Sequence, residues 1–206
     1  MTLERREFLE RAAQAGALLF AAPLSLVSVS QALAAAARKP TPTDALGPFY
    51  RRLAPHQAVL RAPGDPGLPL KLTGIVYSDT GATLPRASVE LWQTNASGQY
   101  DTVGNRYRTA LMADAKGGYG VESVIPGHYP GRICQHVHYL VRAEGHKPLV
   151  TQLYFATDRV FDGDPDRNYT RDPLCTSREL VRPVVLTGEP KAIVANVSFD
   201  LVLERA

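Results

Sequence analysis

Cysteine is scarce in this chain, which contains only Cys134 and Cys175 among its 206 residues. Two cysteines cannot build the disulfide framework that holds small extracellular domains together, so a hydrophobic core must carry the fold. If the protein is exported, the pair can form a single disulfide. Alternatively, Cys134 is a free thiol, and the sequence leaves both alternatives open.

The chain also lacks a strong excess of charge of either sign. Its 23 lysines and arginines nearly balance 20 aspartates and glutamates, which gives a net charge of +3, and the basic residues are scattered along the sequence. A nucleic-acid partner is therefore not expected, because nucleic-acid-binding surfaces cluster their positive charge. With 45% hydrophobic and 21% charged residues, the composition is that of an ordinary globular protein.

A sustained helical period is missing after residue 40, where no segment keeps apolar residues at helical spacing for twelve residues. Short segments rich in β-branched and aromatic residues occur instead, separated by turns that draw on sixteen glycines and sixteen prolines. The candidate strands are 70–77, 87–93, 106–113, 118–124, 136–143, 149–155, 179–185 and 193–203. They predict an all-β fold, an antiparallel β-sandwich with a loop-rich N-terminal segment, whose last strand closes a sheet.

The first 35 residues have the features of an export signal. An arginine pair, Arg5-Arg6, precedes an apolar stretch over 12–29 that leads to a small-residue cleavage site, Ala32-Leu33-Ala34. The pair followed by Phe8-Leu9 is typical of twin-arginine signals, so we expect the twin-arginine machinery to export the protein to the periplasm or out of the cell. An uncleaved membrane anchor is the alternative, although Pro23 interrupts the stretch.

After residue 35 the sequence divides into two parts. Residues 36–47 are rich in alanine, proline and threonine and predict a flexible lead-in, whereas 48–206 predict one β-sandwich domain. The roughly 170 residues that follow the signal are enough for one well-buried core. We find no internal repeat that would divide them further.

Two histidines separated by one residue, His136 and His138, stand in a candidate strand. Residues i and i+2 of a strand point to the same face, so the two imidazoles converge on one point, as metal binding requires. A surface strand with two solvated histidines is the alternative. The pair alone therefore indicates a metal site only weakly, and further ligands are needed.

Two tyrosines are placed to complete such a site. Tyr129 lies in the turn 126–131 just before the histidine strand, and Tyr100 follows a glycine that can turn the chain after strand 87–93. A phenolate is a hard anionic donor that suits Fe(III), as in haem proteins with a tyrosine ligand, and it matches Zn²⁺ or Cu²⁺ poorly. Each tyrosine taken alone is more typical of a half-buried position in a β-sandwich.

Six phrases along the chain resemble one family in their order and spacing. They are Thr41-Pro42 leading to Gly47-Pro48-Phe49-Tyr50, Leu72–Tyr77, Val89–Tyr100, Pro126–Arg132, His136-Val137-His138 and Gln152–Phe155. Over nearly all of residues 41–203 the chain resembles the intradiol ring-cleavage dioxygenases, the group that contains catechol and protocatechuate dioxygenases. Its small, exported members are the most similar.

The resemblance implies a fold, a cofactor and an activity. It implies the family's β-sandwich, with 48–206 as the catalytic domain, and an Fe(III) ion held by Tyr100, Tyr129, His136 and His138. The implied substrates are O₂ and a catechol-type diol, which is opened between its hydroxyls to a cis,cis-muconate. Tyr100 and His138 are implied to stay bound, whereas Tyr129 dissociates and takes a catechol proton. No external reductant is needed, which agrees with the lack of a nucleotide-binding motif.

The resemblance also implies two residues that act on the substrate. Arg132 corresponds to an arginine that stabilises charge developing on the substrate, and Gln152 corresponds to a position that contacts it. The chain departs from the family here, because Arg132 stands four residues before His136 instead of three. This departure puts the reach of Arg132 in question, and a surface salt bridge is the alternative. The segment 52–68 is expected to line the substrate.

Two other functions remain open from the sequence. One is an Fe(II) oxygenase of the cupin type, which needs a carboxylate beside His136 and His138. Glu144 shares their strand face but would lie about 20 Å from His138 along an extended chain. The other is a non-catalytic, transthyretin-like module that binds sugar or protein, for which 74–91 alone would suffice. The sequence determines neither the particular catechol nor whether the protein is a homo-oligomer.

Overall fold

Ten β-strands provide most of the regular structure in residues 36–206, the part of the chain that the computed structural model describes. They are β1 (Pro69–Ser78), β2 (Ser88–Trp92), β3 (Arg108–Met112), β4 (Gly118–Val124), β5 (His136–Arg142), β6 (Leu149–Phe155), β7 (Val181–Arg182), β8 (Val185–Thr187), β9 (Val194–Ser198) and β10 (Leu201–Leu203). The first six predicted strands lie within two residues of their expected bounds. The β-branched and aromatic residues of these segments therefore predicted the positions of the strands correctly.

In the same part of the chain, helix is confined to the long connection between β6 and β7. One turn of α-helix, α1 (Pro165–Asn168), is accompanied by 3-10 turns at Arg159–Phe161, Tyr169–Arg171 and Arg178–Leu180. The side chain of Asp164 caps α1 by accepting a hydrogen bond from the backbone N–H of Arg167. Among residues 36–206, no helix is long and apolar enough to cross a membrane.

The two sheets differ in how their strands are connected. In the first sheet, β4 pairs antiparallel with β1 on one side, while β9 and β10 pair in parallel with β1 on the other, and β8 lies beyond β9. The second sheet has the order β3-β2-β5-β6-β7, in which β6 and β7 are parallel and the other neighbours antiparallel. Strand β5, which carries both candidate histidines, is therefore paired on both sides.

The two sheets pack face to face around a common core. Buried residues of both sheets, among them Leu72 of β1 and Val137 of β5, belong to one apolar cluster. The ring of Tyr139 on β5 contacts the rings of Tyr119 and Phe199, with centroids 6.2 and 5.4 Å away. The predicted β-sandwich is thus confirmed. Its sheets are mixed instead of wholly antiparallel, because the C-terminal strands return beside β1 in the same direction.

Two of the predicted strands are interrupted in the structure. The segment 193–203 forms both β9 and β10. Between them, the N–H of Phe199 donates to the carbonyl of Thr73 and the side chain of Asp200 accepts from the N–H of Ile75, which interrupts the regular pairing with β1. The segment 179–185 forms a 3-10 turn and the short β7, and Pro183 has no N–H with which to extend the pairing. Alternation of apolar residues carries no signal for such interruptions.

The predicted lead-in, 36–47, contains no strand, but backbone hydrogen bonds tie it to the sandwich. The N–H of Thr41 donates to the carbonyl of Val202, and the N–H of Asp44 donates to that of Val150, each at 3.0 Å. The end of the lead-in therefore lies against β6 of the second sheet. The predicted export signal, residues 1–35, lies outside the described residues and stays a prediction.

Gly74 permits the close packing of β1 against the C-terminal segment. A Cβ at Gly74 would overlap the carbonyl of Phe199 and approach Cε1 of Tyr119 to 2.8 Å. Overpacking of this kind costs about 1–3 kcal/mol, so Gly74→Ala should lower the free energy of unfolding, measured by urea titration, by this amount. Gly120→Ala is the matched control, because the nearest atom to its Cβ would lie 3.8 Å away. Equal stabilities of the two variants would contradict the close packing.

Candidate metal centre

A row of four side chains crosses one face of the second sheet. The register pairs Arg108 with Trp92, Trp92 with His138, and His138 with Gln152, so that residues of β3, β2, β5 and β6 stand side by side. The Trp92 ring stacks on the His138 ring, with parallel planes and centroids 5.0 Å apart. Cross-strand neighbours are close enough for such contacts, and the row holds His138 in one orientation.

Strand β5 presents His136 and His138 on the same face. Val137 between them belongs to the core, so the two imidazoles point away from it, as the spacing predicted. Their ring centroids are 4.8 Å apart, and the ring planes are nearly perpendicular. Only 3% of the surface of His136 and 1% of that of His138 is exposed. Two buried imidazoles at this separation form one side of a metal site.

Tyr100 places its hydroxyl next to both histidines. Its Oη lies 3.1 Å from Nε2 of His138 and 3.4 Å from Nε2 of His136. The loop that carries Tyr100 is shaped by Asn95, whose side-chain oxygen accepts hydrogen bonds from two backbone N–H groups further along the loop. One phenol oxygen and two imidazole nitrogens, contributed by separate segments, therefore meet at one point.

Tyr129 joins this group from the turn 126–131. Its ring centroid lies 5.4 Å from that of Tyr100 and 5.8 Å from that of His136. The turn packs directly on the Tyr100 loop, since the N–H of Gly127 donates to the carbonyl of Asn95 at 2.8 Å. The structure thus brings together all four residues that the resemblance implies as ligands.

Both imidazoles are neutral in these buried positions and offer Nε2 to the centre. Nδ1 of His136 lies 2.8 Å from the carbonyl of Cys134, which places the proton on Nδ1 and leaves Nε2 free to coordinate. Burial lowers the pKa of His136 to about 4, and the nearby Arg132 adds to this effect. Burial and the neighbouring His136 also lower the pKa of His138. Neutral nitrogens are the form that binds a metal.

The two phenols need a nearby cation before they can ionise. Burial raises the pKa of Tyr100 and the adjacent Tyr129 raises it further, while Arg132 and Arg108 act in the opposite direction. Burial raises the pKa of Tyr129 as well. A multiply charged metal ion reverses this balance, because it stabilises an anionic oxygen ligand directly. Two hard oxygen donors with two imidazoles fit a ferric ion.

Carboxylates do not complete this group within the described part of the chain. Among residues 36–206, no three histidine, cysteine, aspartate or glutamate side chains are placed to hold a metal ion. Glu144, the acidic residue considered for an Fe(II) site, is exposed beyond the end of β5. These residues therefore offer no triad of two histidines and a carboxylate, and the donor set depends on the tyrosines.

Comparison with known proteins identifies the family. A family model described as a dioxygenase matches residues 46–205. A catechol 1,2-dioxygenase of Acinetobacter baylyi is 32% identical over 203 residues, an alignment that covers 80% of this chain and 62% of that protein. The chain belongs to the intradiol dioxygenase family. A chlorocatechol 1,2-dioxygenase of Pseudomonas putida is also 32% identical, with 77% of this chain and 66% of that protein aligned.

Two solved structures are similar to this sandwich. The dioxygenase domain of a dioxygenase carbohydrate-binding protein fusion from Streptomyces sp. SirexAA-E is 30% identical, with a TM-score of 0.70 over 82% of this chain and 100% of that one. A catechol 1,2-dioxygenase from Pseudomonas arvilla is 26% identical, with a TM-score of 0.69 over 88% and 67%. The chain thus spans 62% and 66% of the two curated relatives above but the whole of the Streptomyces domain.

In this intradiol dioxygenase family member, Arg132 is buried at the centre despite its altered spacing. Only 6% of its surface is exposed. Its Nη2 donates to Oε1 of Gln152 at 3.0 Å and to the hydroxyl of Tyr154 at 2.9 Å, and its Nε lies 3.5 Å from the carboxylate of Asp172. The side chain therefore does not form the surface salt bridge that the sequence also allowed.

Gln152 lies between Arg132 and the N-terminal segment. Its Oε1 accepts the hydrogen bond from Arg132, and its Nε2 donates to the carbonyl of Ala45 at 2.7 Å. The hydroxyl of Tyr154 donates to the carboxylate of Asp44 at 3.0 Å, which is a second hydrogen bond to the lead-in. The amide of Gln152 is thus engaged in holding Arg132 and the lead-in in place, a role that sequence reasoning missed.

Residues 47–49 lie against the centre, and sequence reasoning assigned them no role. The ring of Phe49 stacks on Tyr100 with centroids 4.1 Å apart and meets Tyr129 edge-on at 6.0 Å. Gly47 has a positive φ of 73° and leaves room for the His138 ring beside it. The Gly-Pro-Phe-Tyr phrase at 47–50 was the available signal, because it already stood out among the motifs of the family.

The segment 52–68, expected to line the substrate, borders more than one surface. Nδ1 of His56 lies 3.2 Å from the carbonyl of Ala110 on β3. Arg61 borders a surface depression formed by β1, β4, β8 and β9 of the first sheet. Asp65 and Pro66, in contrast, line a cavity together with Tyr100. The end of the segment therefore lies beside the candidate centre, whereas His56 and Arg61 face other surfaces.

Both cysteines of this family member are buried and unbridged in the structure. Burial raises the pKa of the Cys134 thiol, and it raises that of Cys175 to about 12. Neither side chain is therefore a thiolate at neutral pH. The contribution of Cys134 to the centre is its backbone carbonyl, which orients His136.

Gly47 provides a test of the centre's packing. A Cβ at Gly47 would lie 2.8 Å from Cε1 and 3.3 Å from Nε2 of His138, so Gly47→Ala should displace the ring and lower metal uptake. Gly64→Ala is the matched control, since Gly64 also has a positive φ, of 81°, but its Cβ would meet no atom within 4 Å. Both variants should lose about 1–2 kcal/mol of stability from backbone strain. Equal iron contents in the two variants, measured by elemental analysis, would contradict the contact.

Proposed function

We propose that this protein is an Fe(III)-dependent intradiol dioxygenase. It inserts both atoms of O₂ into a catechol-type diol and opens the ring between the two hydroxyls, which gives a cis,cis-muconate-type product. One observation carries the proposal: the hydroxyl of Tyr100 lies within 3.4 Å of Nε2 of both His136 and His138, with Tyr129 beside it. The names of the relatives, which are catechol, chlorocatechol and hydroxyquinol 1,2-dioxygenases, support this class of substrate.

Tyr100, Tyr129, His136 and His138 would hold the iron in this proposal. When bound, ferric iron would lower the pKa of both phenols and draw electron density from a catecholate, so that O₂ can attack the ring. The chain's own residues prepare for this state. The imidazoles are already neutral, and partial burial keeps both phenols protonated until a metal ion binds.

The different settings of the two tyrosines support different roles for them. Tyr100 is held between the ring of Phe49 and the two histidines. Tyr129 stands on a turn and makes edge contacts with neighbouring rings. We infer that Tyr100 and His138 would stay bound to the iron, while Tyr129 would give way to the substrate and its Oη would take a proton from a catechol hydroxyl. Because one anionic oxygen would replace another, the charge at the centre would change little.

Arg132 is the residue placed to stabilise charge on the substrate. Its guanidinium is oriented by Gln152 and Tyr154 and is paired with the buried Asp172, so it does not need to reorganise during turnover. A preorganised donor of this kind in a water-poor site favours the charge that develops in a transition state.

Export remains part of the proposal on the basis of the first 35 residues alone. The Arg5-Arg6 pair and the apolar stretch that follows support transport by the twin-arginine machinery. A protein transported in the folded state can receive its metal before export. Action on catechol-type compounds outside the cytoplasm follows from the two proposals together.

Oxygen uptake tests the proposed function. Iron-loaded protein should consume O₂ and catechol in equal amounts and form a product with the ultraviolet absorption of a conjugated diene diacid. His138→Ala should abolish the activity, because it removes a ligand that stays bound. His146→Ala is the matched control, since His146 bonds to Ser78 at 3.0 Å, away from the centre. A yellow semialdehyde product, or no uptake with any member of a panel of substituted catechols, would overturn the proposal.

A second prediction concerns Arg132. Arg132→Ala should lower kcat by about 10²–10³, because loss of one preorganised donor typically has this effect, while the iron content stays the same. Arg132→Lys keeps a positive charge beside Asp172 but lacks the planar fork, so it should restore only part of the rate. Steady-state kinetics at matched iron content would measure both variants. Normal turnover by Arg132→Ala would show that another cation fills the role.

A further inference from the structure

Gln135, one of the three residues between Arg132 and His136, is anchored at both its main chain and its side chain. The N–H of Gln135 donates to Oδ2 of Asp158 at 2.6 Å. Its side-chain Nε2 donates to the carbonyl of Pro126 at 2.8 Å. Gln135 therefore joins the start of β5 to the beginning of the Tyr129 turn. The segment in which the spacing differs from that of the family is thus held in the fold by hydrogen bonds.

Asp158 collects hydrogen bonds from three separate parts of the chain. Besides Gln135, its carboxylate accepts the N–H of Val160 at 3.0 Å. Nε2 of His128 lies 3.1 Å from both of its oxygens. Only 2% of Asp158 is exposed, so this buried carboxylate depends on these donors. A buried polar group that loses its hydrogen-bond partners raises the free energy of the folded state. The three groups bonded to Asp158 are therefore held firmly in place.

His128 connects Asp158 to the candidate ligand that follows it in the chain, Tyr129. The other side of the same turn is held by the Tyr100 loop, where Thr94 Oγ1 donates to the carbonyl of Gly127 at 3.0 Å. The turn is thus hydrogen-bonded on one side to the loop that carries Tyr100 and on the other side to Asp158.

We propose that Asp158, His128 and Gln135 form a latch that positions the Tyr129 turn and Arg132 relative to β5. The proposal rests on the proposed function, in which Tyr129 leaves the metal and returns in each cycle. A firm latch keeps the turn in place while the phenol moves, so that Tyr129 returns quickly to the same position. His128, Asp158 and Gln135 are therefore positioning residues and touch neither substrate nor metal.

The first test uses iron-free protein and does not depend on activity. His128→Leu and Asp158→Asn should speed amide hydrogen exchange in the peptide 126–135 by about ten- to hundredfold, because the first removes a hydrogen-bond donor to the buried carboxylate and the second removes its charge. The histidine control His146→Ala should leave exchange in this peptide unchanged. If Asp158→Asn does not fold, His128→Leu decides alone, because the side chain of His128 is partly exposed. Unchanged exchange in His128→Leu would overturn the latch.

The second test separates positioning from a general loss of folded enzyme. In iron-loaded protein, His128→Leu should lower kcat and KM together, by about tenfold each, because Tyr129 is displaced more easily and returns more slowly. A smaller folded fraction would lower kcat and leave KM unchanged, and that result would overturn the latch. Inactive wild-type protein with fast exchange in the variants would instead reject the proposed function and leave the latch intact.

Discussion

The pairing of β5 between β2 and β6 is the constraint on which the centre depends. A strand bonded on both sides cannot slip, and a shift of one residue would turn both histidines into the core and Val137 out of it. The same register places Trp92 on one side of His138 and Gln152 on the other. The loops then need only bring oxygen donors to a point that the sheet has already defined, and Tyr100 reaches it from the end of β2.

Burial keeps the four candidate ligands uncharged in the absence of a metal ion. The histidines are kept neutral and the phenols protonated, so that Arg132 with its partner Asp172 is the main charged pair beside the ligands. Release of the phenol protons offsets much of the charge that a ferric ion brings, since metal binding and ligand deprotonation are coupled. The candidate ligands are therefore suited to a highly charged cation, because it stabilises both phenolates directly.

Much of the fold and the histidine pair could be predicted from the sequence, because alternation in strands and the His-x-His spacing are local signals. The tyrosines Tyr100 and Tyr129 were implied as ligands only by the resemblance to the family. The interruption at Phe199 and the parallel return of β9 and β10 could not be predicted, since pairing partners are chosen by long-range packing. The burial of Arg132 could not be predicted from the sequence either. Spacing counts residues along the chain, whereas the position of Gln135 depends on a hydrogen bond to Asp158, which is distant in the sequence.

The most direct measurement is the resonance Raman spectrum of the iron-loaded protein, excited within its visible absorption. If Tyr100 and Tyr129 both bind the ferric ion, tyrosinate ring vibrations from two distinct ligands should be enhanced, and Tyr129→Phe should remove one set while the other stays. Both phenolates donate into the metal, so the colour itself depends on them. A colourless protein with tightly bound zinc, or a spectrum without tyrosinate vibrations, would contradict the proposed ligand set.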